Sequence, residues 1–191
     1  YWVSDIEGRN SLRILTQPGG SARWLDANRI LIEVSDLNDR RLNTLRVFDV
    51  RDSSIYDLGT WLYTRGVSIA PGGDRLMFYL AFQEDSSQNG VYIIETRPGA
   101  EAQKLPWFGA WRWRDAESVF YIPYQPTSGV QTLMYYHIPS GTQRQLTNPE
   151  DERFMIANGE WAVSPDGNRI VFQDPSTMSM WLLEDVAQLE D

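Results

Sequence analysis

The chain has no cysteine and a single histidine in 191 residues. Disulfides, thiolate nucleophiles and cysteine-ligated zinc or iron–sulfur centres are therefore excluded, and so is any metal site built on two histidines. Basic residues are few, 17 against 26 acidic ones, for a net charge of −9. A protein that grips a phosphate backbone needs a basic stripe, and none is legible, so no nucleic-acid partner is expected; anionic membrane surfaces are disfavoured for the same reason. No run of about 18 apolar residues exists, so no membrane insertion is expected. No stretch sustains a 3.6-residue apolar period, and the acidic end, residues 184–191, is the one candidate helix. No secretory leader pattern is seen, and the chain starts at Tyr1 within what reads as a strand; an excised segment of something longer is expected.

What the chain does have is aromatic residues, 8 Trp, 9 Tyr and 7 Phe, which suit pleated, half-buried surfaces and are enough to rule out a disordered tail. It also has an internal repeat. A turn, a polar residue and a β-rich run recur four times: WLDANRILIEV (24–34), APGGDRLMFYL (70–80), WRDAESVFYIP (113–123) and SPDGNRIVFQD (164–174). Anchored on Arg29, Arg75, Ser118 and Arg169, the spacings are 46, 43 and 51 residues, the period of a four-stranded blade. The turn chemistry agrees. Pro165 presets φ, Asp166 bonds the backbone ahead of it, and Gly167 takes the positive φ that other residues resist; Asp26 and Asp115 share the column of Asp166.

A second element recurs out of phase: YWVSDI (1–6), LRVFDV (45–50), VYIIET (91–96), LMYYHI (133–138) and MWLLED (180–185). From the column of Asp5, Asp49, Glu95 and His137, the leucines Leu15, Leu58, Leu105 and Leu146 follow 10, 9, 10 and 9 residues on, which indicates a hairpin of fixed length. Each unit is thus four strands, a to d, with the SPDG-type turn between a and b and the second hairpin between c and d. The expected fold class is all-β, a propeller-type array of about four four-stranded antiparallel blades. One repeat domain covers 1–191, with units at approximately 1–18 (partial), 19–60, 61–106, 107–148 and 149–191. The fifth c strand has no d strand, and the first c–d pair has no a–b pair. Three arrangements fit: a partial propeller, a four-bladed ring closed by residues 12–16 as the outer strand of the last blade, or a larger ring completed by a second chain. Open blade edges favour pairing, so a homo-oligomer is among the expectations.

The motif SPDG with a polar or basic residue and an aromatic–aliphatic strand resembles that of the TolB-like, WD-repeat-like β-propeller family. SPDGNRIVF (164–172) matches well and APGGDRLMF (70–78) fairly well, whereas WLDANRILI and WRDAESVFY lack the Pro and Gly. The resemblance covers nearly the whole chain. It implies a bacterial protein, an extracytoplasmic (periplasmic or cell-surface) setting and membership of a larger sensor or envelope protein. It implies little about function, because propellers host many roles.

Candidate residues are weighed column by column. His137 lies where other repeats carry acids, so it reads as a strand-end surface residue rather than a catalytic base, and no G-x-S-x-G elbow accompanies it. Asp26, Asp115 and Asp166 recur and so read as turn residues. Asp36, Asn38 and Asp39 offer oxygen ligands at calcium-like spacing, but the loop lacks the Gly and Glu of a full site and reads as a solvated b–c loop. No catalytic residue, cofactor or metal is expected. Trp107, Phe108, Trp111 and Trp113 form the densest aromatic cluster; Trp111 and Trp113 read as packing between blades. Trp61, Trp107 and Phe108 precede strand a, where a d–a loop should surface. Antiparallel order puts b–c and d–a loops on one face, which collects Trp61, Trp107 and Phe108 with Asp36, Asp39, Glu84, Asp85, Glu150, Asp151 and Glu152. Aromatic anchors in an acidic rim suit a protein or peptide partner, a basic one included. The expected function is a non-catalytic binding or scaffolding module. The rivals are the substrate-gating propeller of a prolyl-oligopeptidase-type peptidase and a uronate-processing enzyme, the latter disfavoured by the single histidine.

Overall fold

The computed structural model of the chain describes residues 1–15, 20–148, 150, 154–156 and 159–186. It divides into two compact units, Tyr1–Leu105 and Pro106–Asp191.

The first unit opens with a two-stranded sheet of β1 (Trp2–Val3) and β2 (Leu12–Arg13), with Trp2 opposite Arg13. A four-stranded antiparallel sheet follows, with β3 (Ser21–Trp24), β4 (Arg29–Ser35), β5 (Leu42–Asp49) and β6 (Ile55–Leu62) in sequence order. A second one holds β7 (Thr64–Ile69), β8 (Arg75–Leu80), β9 (Gly90–Glu95) and β10 (Gln103–Lys104). The second unit contains a four-stranded sheet of β11 (Gly109–Trp113), β12 (Ser118–Pro123), β13 (Met134–His137) and β14 (Thr142–Gln145). A three-stranded sheet of β15 (Trp161–Val163), β16 (Ile170–Gln173) and β17 (Met180–Leu183) completes it.

The all-β, propeller-type class is as expected, and each a–b–c–d assignment falls on a meander of neighbouring strands. The two sequence columns, identified separately, lie opposite each other: Arg29 faces Asp49, Arg75 faces Glu95, and Ser118 faces His137. Among the described residues the last sheet has no fourth strand, and Leu12–Arg13 pairs with Trp2–Val3; Thr16 lies outside the described residues. The expected terminal helix is not seen where it can be judged. Glu184 and Asp185 are irregular, Asp185 has φ 55°, and residues 187–191 lie outside the described residues. No helix is long and apolar enough to cross a membrane among the described residues.

Alternating apolar residues of neighbouring sheets form the cores. In the first unit Leu31, Leu45, Val47 and Leu58 pack with Leu76, Phe78 and Ile94, while Ile30, Ile32, Val34 and Phe48 pack toward Ile14 and Leu12 on their other side. In the second unit Phe120, Ile122 and Leu133 meet Trp161, Ile170 and Phe172, joined by Phe154 and Ile156. The repeated leucine enters these cores at three positions, Leu58 buried and Leu15 and Leu146 half-buried, and Leu105 is likewise buried.

Candidate functional site

The repeated aspartates each close their own turn. Asp26 accepts the backbone N–H of Asn28 (2.7 Å) and Arg29 (2.9 Å), Asp115 that of Glu117 (2.7 Å), and Asp166 that of Asn168 (3.1 Å). Burial works against the charged form of Asp26, yet those backbone donors and the Arg29 guanidinium outweigh it and hold its pKa below the usual value. His137 uses Nδ1 within its own hairpin, 2.8 Å from the Ser140 hydroxyl.

Between adjacent sheets the turns interlock. The Arg29 guanidinium spans from Asp26 to the neighbouring sheet, donating to the Thr96 carbonyl and hydroxyl (2.9 Å each) and to Asp74 (2.9 Å). Gly73 (φ 78°) leaves room for this: a Cβ there would sit 2.2 Å from the Leu25 carbonyl oxygen. In the second unit Gly167 (φ 72°) lies against Arg114 in the same way. A further repeated clasp was missed in the sequence. Arg23 donates to the Val67 carbonyl (3.0 Å), and Arg112, its counterpart, to that of Trp161 (3.1 Å). The Arg-Trp pairs at 23–24 and 112–113 were its only sequence signal.

The residues proposed for the loop face are placed as follows. Trp61 lies within β6 opposite Asn43 rather than in a surface loop, half-buried with its ring 5.0 Å from Phe78, because the β6–β7 connection is only Tyr63. Trp107 is 8% exposed, stacked on Tyr121 at 4.2 Å and edge-on to Tyr136 at 5.8 Å, while Phe108 is 49% exposed against Tyr124. Trp111 is buried and Trp113 half-buried. Asp36 closes its loop by accepting the N–H of Asn38 and Asp39, and Asp85 caps the short 3-10 turn Ser86–Gln88 by accepting from Ser87. Asp39 takes the Arg41 guanidinium and backbone N–H, and that pair holds its pKa down to about 2. Glu84 is exposed, as is Glu150; Asp151 and Glu152 lie outside the described residues.

In the first unit the β4–β5 and β8–β9 loops are both hydrogen-bonded to the β6–β7 junction. Tyr63, the single residue joining β6 to β7, donates its N–H to the Arg41 carbonyl (2.7 Å). Gln83, in the β8–β9 loop, donates its side-chain amide to the Leu62 carbonyl (2.8 Å) and its backbone N–H to the Asn89 side-chain oxygen (2.9 Å). A row of side chains results. Asp39 pairs with Arg41, whose carbonyl takes the Tyr63 N–H; Tyr63 lies edge-on to Phe82 at 5.6 Å; and the Arg65 guanidinium covers the Phe82 ring at 5.3 Å. Phe82 is 68% exposed. Tyr63 and Phe82 both have left-handed backbones, φ 49° and 54°, which bulky residues seldom adopt and which the cross-loop hydrogen bonds hold in place. Of this row the sequence flagged Asp39 alone. An aromatic in each of two loops was the available signal, and strand alternation does not say which loop aromatics surface.

Meandering four-stranded sheets, stacked through alternating apolar faces and interlocked by their turns, define a propeller-type repeat fold. No family model matches the sequence, and no curated protein matches it. Solved structures do. The chain is similar to an oligogalacturonate lyase in complex with manganese (14% identity, TM-score 0.66, 94% of this chain and 55% of that one). It is also similar to a putative TolB from Agrobacterium tumefaciens (20% identity, TM-score 0.55, 97% and 65%). A third similar structure is the β-propeller domain of the Trilobed protease from Pyrococcus furiosus (11% identity, TM-score 0.54, 83% and 51%). At these identities the likeness shows the fold: a TolB-like β-propeller architecture. The chain spans about half to two-thirds of the length of these structures.

Proposed function

We propose that the chain is a non-catalytic recognition module of the TolB-like repeat family, a segment of a larger bacterial, extracytoplasmic protein, and that it binds a protein or peptide through the loop face of residues 1–105. The observation that carries this is the Asp39–Arg41–Tyr63–Phe82–Arg65 row, an aromatic pair on two loops with Phe82 exposed, covered on one side by the Arg65 guanidinium of β7 and tied through the Tyr63 N–H to Arg41. Aromatic and arginine side chains on a preorganised surface are the usual anchors of protein recognition. The recurring carboxylates and His137 support the same reading, since each is engaged within its own turn or hairpin. The alternative, a propeller that gates substrate for a separate peptidase domain, shares the fold with the Trilobed protease propeller and needs no loop-face anchor.

The test is selection of a random displayed-peptide library on the immobilised chain. Enrichment of peptides that then bind the chain in solution is expected. A library that yields no peptide above a blocked surface would defeat the recognition reading.

A further inference from the structure

We infer that the Arg65–Phe82 end of this row is a subsite for a carboxylate beside an apolar side chain, so that the partner is an acidic–apolar peptide segment. The inference rests on the recognition reading and names its ligand chemistry.

Arg65 stands apart from most arginines of its unit. Arg9, Arg23, Arg29, Arg41, Arg46, Arg51 and Arg97 each pair with a carboxylate. Arg65 is exposed and has no carboxylate partner among the described residues; its guanidinium lies over the face of Phe82. Glu84, two residues beyond Phe82, forms no ion pair with it among the described residues. In a chain of net charge −9 such a guanidinium is uncommon; Arg13, over the exposed Trp2 ring at 5.9 Å, is the other in this unit, and it lies on the two-stranded sheet rather than among these loops.

Three of the nearby acids are already engaged, and Glu84 is left exposed. Asp36 and Asp85 are held by backbone N–H groups and Asp39 by Arg41. A basic partner would find these carboxylates occupied and Arg65 repelling it. An acidic one would meet a planar donor able to bind a carboxylate in two-point fashion while keeping its contact with the ring. The adjacent apolar side chain of the partner would cover Phe82 and Tyr63. The subsite is rigid: Gln83 bonds the Leu62 and Ala81 carbonyls (2.8 and 3.0 Å) and fixes the loop on both sides of Phe82.

The experiment sequences the peptides enriched on the full chain from the random displayed library. It then measures the affinities of the three most enriched, as synthetic peptides, for the unsubstituted chain, Phe82→Ala, Arg65→Glu, Arg65→Lys and the control Arg169→Glu in the second unit. Enrichment of Asp or Glu next to Leu, Met or an aromatic is expected. Binding should weaken about tenfold or more in Phe82→Ala and Arg65→Glu, less in Arg65→Lys, and stay unchanged in the control. Lys-substituted versions of the peptides should regain affinity for Arg65→Glu, which a merely misfolded variant would not show. Peptides that bind Phe82→Ala and Arg65→Glu as well as the unsubstituted chain would overturn the subsite and leave the recognition reading standing. Enriched basic peptides, tightened by Arg65→Glu, would overturn the carboxylate assignment. A library without binders would remove both.

Discussion

Arg29 and Arg169 fill the same column of the repeat, but their surroundings differ. Arg29 is 18% exposed and tied to Asp26, Asp74 and Thr96; Arg169 is 53% exposed with Asp166 4.0 Å away. Hydrogen bonds to a charged group contribute about 1.5–3 kcal/mol when their partners are partly buried, so Arg29→Met should cost about 2 kcal/mol. Arg169→Met should fall within about 0.5 kcal/mol of neutral. Urea midpoints of the two variants would show the contrast, and equal midpoints would mean that the Arg29 clasp contributes nothing net. A glycine pair makes a similar comparison. Gly72 (φ 86°) faces open space, whereas a Cβ on Gly73 (φ 78°) meets the Leu25 carbonyl. Gly72→Ala should cost about 1 kcal/mol from the left-handed backbone alone. Gly73→Ala should cost more, and its urea midpoint should be the lower of the two. The sequence aligned both arginines and both glycines correctly. It could not show which ones bridge sheets, because part of what they meet is backbone carbonyl, that of Thr96 for Arg29 and of Leu25 for Gly73, which carries no residue signature.

At the scale of elements, the strand columns were legible because burial alternates with a period of two and the turns carry Pro, Asp and Gly. The neighbours of each face were not. Leu45, Val91, Leu133 and Met180 are equivalent positions of strand c; the first three are 0–1% exposed and Met180 is 64% exposed. Leu182 is likewise 53% exposed where Val47 is fully buried. The outer strands of the three complete sheets carry Asp57, Lys104 and Arg144, whereas β17 reads Met-Trp-Leu-Leu, the composition of an inner strand. Leu45→Ala should therefore cost about 2–5 kcal/mol by cavity formation, and Met180→Ala under about 0.5 kcal/mol. Similar losses in the two variants would mean that Met180 is covered in solution. The Trp107–Phe108 pair shows the same limit. Neighbouring residues at a crossing point in opposite directions, and only the path of the chain decides that Trp107 turns onto Tyr121 while Phe108 faces out. The Tyr63–Phe82 row was illegible for this reason as well: the two residues are brought together by two loops 19 residues apart in sequence.

For the whole molecule, charge sets how stability responds to acid. At pH 7 the chain carries −9 and repels itself, and moving toward its isoelectric point near 4.6 relieves that repulsion. Below that pH a second effect has the opposite sign. Asp49 is held at about 2 by the Arg51 guanidinium and backbone N–H, and Asp39 at about 2 by Arg41. Asp26, Asp85, Asp166 and Asp174 are lowered too, by backbone and side-chain donors of their own turns. Each has a folded pKa below its unfolded value near 3.8. The unfolded chain then binds more protons than the folded one, and stability falls as pH drops from about 4 toward 2. Because the same aspartates close turns throughout the repeat, the loss should be spread over both units. Thermal melting followed from pH 7 to 2 should give a maximum between about pH 4.5 and 6 and a steep decline below about pH 4. In Asp49→Asn the decline below pH 4 should be shallower and the melting temperature at pH 7 lower, since the group whose protonation the fold resists is gone. An unchanged slope in that variant would place the acid sensitivity elsewhere than in the carboxylates that close the turns and hairpins.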